Sequence, residues 1–283
     1  TRPQLKLAPR SAYGGNAEGG ASARSILIRS QGIQSSSYGG QMGVSAKAFQ
    51  NWRTRVAPNE STADLCRRTG IKRSTLAQQL VRGNVAVATV VRVARAYGQD
   101  PVAVLSEFDG FHGLAEGRRA PTPAELISQV PYQCILEYLL ARAGSDQEHP
   151  AVPRVAGYAE SIAVRPWFDA VDPGDLRLAL SAATGIAPQN ISAQLTAGRL
   201  ATKLAVEAAR QAGVSLTSGL VVTGVLEPDE GGWPPTGREE ALAALTDAEL
   251  VSLARDRLDA LAKVLRKREQ DEKYDHALLE NLG

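Results

Sequence analysis

The 283-residue sequence predicts an all-α fold: two copies of a five-helix unit, a linker helix between them and an amphipathic helix at the C-terminus. Three observations predict it. Apolar residues recur at spacings of three and four through most of the chain, aromatics make up only 5% of residues, and the sequence repeats itself at a shift of 115 positions. Composition also excludes whole classes of protein. No apolar run approaches the roughly 18 residues of a membrane span. Cys66 and Cys134 are too few for a disulfide framework, and no secretory leader is read, so the cytoplasm is the expected compartment. His112, His149 and His276 offer neither zinc spacing nor a triad, so no metal, cofactor or catalytic group is expected.

Residues 1–44 form a Gly/Ser-rich basic arm, too poor in apolar residues to offset the entropy of ordering it, and Met42 to Ser45 reads as the entry to the first helix. The arm serves either as an inert tail or as a strand of charge along DNA. From Ser45, Ala48, Phe49, Trp52 and Val56 make one apolar stripe, ended by Pro58. Ser61 or Thr62 caps a second helix that carries Leu65 and Cys66 inward and stops at Gly70. A third, from Arg73 to Val81, turns Leu76 and Leu80 inward and Arg73, Ser74, Thr75 and Gln78 outward. Arg82-Gly83-Asn84 turns the chain, Val85 to Tyr97 is the fourth helix, and Asp100 with Pro101 opens a fifth that ends near Phe108.

Five short helices with a three-residue turn between the second and third describe a helix-turn-helix domain over residues 45–109. The stretch Leu65-Cys66-Arg67-Arg68-Thr69-Gly70-Ile71-Lys72-Arg73-Ser74-Thr75-Leu76, with Arg82-Gly83, Ala94 to Gly98 and Val102 to Leu105, resembles the lambda-repressor-like (Xre-type) transcriptional regulators. The pattern departs from the family at the end of the third helix, where Leu80 follows Leu76 by four residues and Gly83 falls one position late. The resemblance implies that Arg73, Ser74 and Gln78 face bases, with Thr75 beside them. Arg73 suits guanine and Gln78 suits adenine. Lys72, Arg82, Asn84 and the Arg67-Arg68 pair are read as phosphate contacts that set register.

The repeat aligns Thr69-Gly70-Ile71 with Thr184-Gly185-Ile186, Gln79-Leu80 with Gln194-Leu195, Gly83 with Gly198, Gly98 with Gly213 and Leu105 with Leu220. A second helix-turn-helix-like domain is therefore expected over 151–227. Its chemistry differs. Residues 45–109 hold ten cations against five anions, whereas 172–227 hold four of each. A domain that neutralises several phosphates needs excess cations. The second copy is either a reader of adenine edges through Gln189, Asn190, Ser192 and Gln194 or a structural and dimerising copy.

Residues 110–150 read as a linker and helix, with Arg118-Arg119 in the linker and a capping box at Thr122 to Glu125. A second linker follows Glu227-Pro228, and residues 238–283 read as an amphipathic helix opened by a second capping box at Thr246 to Glu249. Its stripe of Leu250, Leu253, Leu258, Leu261 and Leu265 packs on the chain itself or on a second copy. The expected function is sequence-specific binding of double-stranded DNA by a transcriptional regulator, a repressor acting by operator occupancy. The Arg-rich usage and tandem layout resemble actinobacterial and actinophage regulators, which implies a phage immunity repressor. The expected partner is operator DNA, with no membrane, and the chain works either as a homodimer or as a monomer with two DNA-reading domains. The competing reading is a protein-interaction module on the same fold, such as an antitoxin or assembly factor. A self-cleaving repressor needs a strand-rich C-terminal half, which the helical periodicity argues against, so the chain is not expected to be an enzyme.

Overall fold

Val44 and Val85, both apolar and β-branched, lie 41 positions apart and pair in a small antiparallel sheet, the first departure from the expected all-helical order. In the computed structural model, β1 (Gly43–Ser45) runs against β2 (Asn84–Ala86) with Val44 opposite Val85 and both side chains buried. The structure describes residues 43–144, 151–155, 157–158 and 163–282, with side chains through residue 273. Of the expected arm over residues 1–44, residues 1–42 lie outside these, and Gly43 and Val44 are buried in β1 instead. The fourth helix correspondingly starts at Val87, not Val85. The pair also organises the entry to the first helix: the Ala46 N–H donates to the Gly83 carbonyl at 3.0 Å, replacing a side-chain cap.

Fourteen helices stand beside that sheet among the described residues, so the fold is predominantly helical. In chain order, the first group is α1 (Ala46–Val56), α2 (Thr62–Thr69), α3 (Arg73–Val81), α4 (Val87–Ala96) and α5 (Pro101–Ser106). α6 (Pro123–Ser128) and α7 (Tyr132–Gly144) follow, divided at Pro131. The second group is α8 (Val164–Val171), α9 (Leu176–Thr184), α10 (Pro188–Thr196), α11 (Thr202–Gln211) and α12 (Leu216–Val222). Two helices close the chain, α13 (Gly237–Ala243) and α14 (Asp247–Leu282), so the expected single C-terminal helix is in fact two, broken at Leu245-Thr246.

Local chemistry explains these boundaries. Ser61 Oγ accepts the Asp64 N–H and Asp100 accepts the Val102 N–H. Thr122 and Glu125 form a reciprocal capping box, and Thr246 and Glu249 make the same exchange at the start of α14. Glu125 does more. Its carboxylate is fully buried and accepts from Thr122 at one oxygen and from Trp167 Nε1 (3.1 Å) at the other, which ties α6 to α8.

One hydrophobic core runs through both groups, from Phe49 and Trp52 through Leu105, Phe111 and Leu114 to Trp167, Leu180, Leu220 and Trp233. The segments read as linkers are part of it. Phe111, Leu114 and Trp233 are buried, so residues 110–121 and 227–236 are packed connections, not free tethers. The Arg118-Arg119 dipeptide reaches both groups. Arg118 pairs with Asp100 (3.4 Å), at the start of α5. Arg119 donates to the carbonyls of Gly213 and Val214, and its N–H to Ser215 Oγ, just before α12. A smaller core of Val130, Ile135, Tyr138, Val155, Leu242, Leu250 and Ala254 joins α7, α13 and the first turns of α14.

Candidate nucleic-acid interface

The turn between α2 and α3 is built from side chains that bond their own backbone. Gly70 ends α2 at φ 67°, a left-handed conformation that costs a β-carbon roughly 1–2 kcal/mol. Just before it, buried Thr69 donates from Oγ1 to the Leu65 carbonyl (2.8 Å) and accepts the Ile71 N–H (3.4 Å). Leu65, Cys66, Ile71 and Leu76 lock α2 and α3 beneath this turn. Cys66 is thus buried packing, as its inward position predicts. At the far end of α3, Gln79 Oε1 accepts the Ala86 N–H (3.1 Å), which fixes the helix against β2.

With Leu76 held inward, the opposite face of α3 stands in solvent. Lys72, Arg73, Ser74, Thr75, Gln78 and Arg82 are all exposed. Lys72 precedes the first turn without a side-chain cap. The start of α3 therefore combines two cations with unsatisfied helical N–H groups, an electropositive end. Val81, 87% exposed, completes the face. Sequence reasoning missed Val81 as a surface residue; the available signal was that it follows the Leu76–Leu80 row by one position, about 100° around the helix.

The remaining candidates separate into distinct settings. Arg67 borders a shallow groove with Ala63, Cys66, Ile71 and Arg73, which brings it beside the α3 start, and it also pairs with Asp64 (2.9 Å). The Ser61 hydroxyl, then Arg67, hold the Asp64 carboxyl below the ordinary carboxylate range. Arg68 turns away to Glu60 (3.1 Å) and lies over the Tyr97 ring (5.2 Å to its centre). Asn84 is half-buried in β2 opposite Ser45.

Gln189, Asn190 and Ser192 are exposed on α10. Lys72 and Arg73 correspond there to Ala187 and Pro188, so the α10 face carries amides and hydroxyls without the cations. Gln194, expected among its base readers, is instead engaged through its amide oxygen, which accepts the Ala201 N–H at 2.9 Å. The α3 and α10 settings match in detail. Gly185 and Gly198 have φ 71° and 67°, against 67° and 71° at Gly70 and Gly83. Thr184 donates to Leu180 as Thr69 does to Leu65.

Among the described residues no group of three or more His, Cys, Asp or Glu is placed to hold a metal ion, and no helix is long and apolar enough to cross a membrane. No family model, curated protein or solved structure matches the chain.

Proposed function

We propose that this protein is a sequence-specific double-stranded DNA-binding regulator that reads the major groove with α3 and represses by occupying its operator. The observation that carries the reading is the outward face of α3. Lys72, Arg73, Ser74, Thr75, Gln78 and Arg82 stand on one short helix, anchored from behind by Leu76, and Arg73 and Gln78 make no ion pair or side-chain hydrogen bond among the described residues. Side chains left unpaired on a rigid, electropositive helix end suit base edges and phosphates. Arg73 suits the O6 and N7 acceptors of guanine, Gln78 suits adenine, and Val81 suits a thymine methyl. Arg67, Lys72, Arg82 and Asn84 contact phosphates. Arg68 contributes less, because Glu60 already meets its charge.

The same reading takes residues 45–109 and 151–227 as tandem helix-turn-helix copies. Under the 115-residue shift, α3 and α10 coincide end for end, as do α4 and α11, and Trp52 falls on Trp167. This shared register supports a duplication in which the second copy has lost its cations. A phage immunity repressor working in the cytoplasm is the specific role proposed.

The test is selection of bound sequences from a random duplex pool with the full chain, followed by two variants on the selected site. Arg73→Ala should cost ~1–3 kcal/mol there and relax preference at one base pair. Lys72→Ala should weaken all sequences alike and lower the salt slope by about one. Absence of salt-dependent duplex binding would overturn the reading in favour of a protein-interaction module.

A further inference from the structure

The first turns of α14 lie on the smaller core, where Leu250 and Ala254 are buried and the Arg257 guanidinium donates to the carbonyls of Ile127 and Ser128. Beyond Arg257 that support thins, with Leu261 and Ala262 only half-buried. Leu258 and Leu265 are 42% and 47% exposed, every residue from 263 to 273 is exposed, and the helix continues to Leu282. That rod is about 37 Å long at 1.5 Å per residue. Helices in proteins draw most of their stability from packing of an apolar face, which residues 263–273 do not receive from the rest of the described chain.

Its residue order is self-complementary. Apolar Leu258, Leu261 and Leu265 come first, overlapping a basic block from Lys263 to Arg268. Acidic Glu269, Asp271 and Glu272 follow, and Leu278, Leu279 and Leu282 end it. Read backwards, the pattern is apolar, acidic, basic, apolar. Positions 258, 265, 272 and 279 fall on one heptad row and 261, 268, 275 and 282 on the next, which together make a single seam. We propose that α14 pairs antiparallel with α14 of a second copy of this chain, centred near residue 270. Leu258 then falls opposite the register of Leu282, Leu261 opposite that of Leu279, and Arg268 opposite that of Glu272. Arg268 and Glu272 already pair along the helix at 2.8 Å and exchange partners in the dimer. A parallel, in-register pair would instead set the four cations of 263–268 side by side, a repulsive arrangement. The antiparallel contact is isologous and closes at two copies.

The test is the mass of the full chain by size-exclusion chromatography with light scattering across the micromolar range. A dimer is expected. Leu258→Asp combined with Leu265→Asp should raise its dissociation constant about a hundredfold or more. Both positions are exposed, so the body stays folded, which the urea midpoint of the variant verifies. In a Cys134→Ser background, Leu261→Cys and Leu279→Cys chains should form a disulfide when mixed and not when kept apart. A monomer at all concentrations, a dimer untouched by the double Asp variant, or crosslinking of Leu261→Cys to itself would each overturn the proposal. Mass and crosslinking are both read without DNA, so this outcome is independent of whether α3 binds DNA.

Discussion

Arg95 and Glu230 sit 135 positions apart and meet as a two-pronged pair, Nε and Nη2 of the guanidinium lying 2.7 and 2.6 Å from the two carboxylate oxygens. Burial pushes the Glu230 carboxyl up, but the Arg95 hydrogen bond and the Glu227 N–H outweigh it and hold the group below the ordinary carboxylate range. A depressed native pKa stabilises the fold above the unfolded-chain value and ceases to do so as pH falls through the native one. Glu230→Gln should therefore lower the urea midpoint at neutral pH by the equivalent of about 1 kcal/mol. The gap from the parent chain should shrink in acid. An undiminished gap at low pH would mean that Glu230 acts by packing. Residue type was legible here, but partnership was not. Gln194 looks like a base reader by its amide, and only the fold shows that amide oxygen bound to Ala201. Its alignment with Gln79, which bonds Ala86 in the same way, was the signal that both are structural.

Helix ends were the elements most readable from sequence, because caps are local chemistry. Thr122 to Glu125, Asp100-Pro101 and Gly70 all act where their residue types predict. The β1–β2 pair was not readable: three residues carry no period, and their partners lie 39 to 43 positions away. α14 continues to Leu282, since Arg, Lys, Glu and Gln sustain a helix without an apolar stripe. The double use of Glu125 also depended on tertiary structure. Thr122→Ala should cost about 1 kcal/mol as a lost cap. Glu125→Ala should cost about 2–3 kcal/mol, because it leaves the buried Trp167 Nε1 without its acceptor. Equal midpoints for the two variants in urea unfolding would mean that the Trp167 bond contributes nothing.

At the scale of the whole molecule, Gly and Pro suggested linkers where the chain in fact packs. Composition registers turns, but it does not register that a turn carrying Phe111 or Trp233 delivers a large apolar side chain to a core. Because that core is shared, the two helix groups, α1–α5 and α8–α12, should unfold together. Far-UV circular dichroism and tryptophan fluorescence should trace one coincident transition through residues 43–233, and two resolved transitions would show the units to be independent. Arg118→Ala with Arg119→Ala should move that transition to lower denaturant by the equivalent of about 1–2 kcal/mol without splitting it. The clamp made by this dipeptide has a further consequence for recognition. Readers on a slack tether accept sites at many separations, whereas α3 and α10, fixed to one interior, present a single distance and a single rotational phase to a duplex that turns once in about 10–10.5 base pairs. If both faces touch DNA, the protein measures length as well as sequence, and a site with correct letters at the wrong spacing is a poor site.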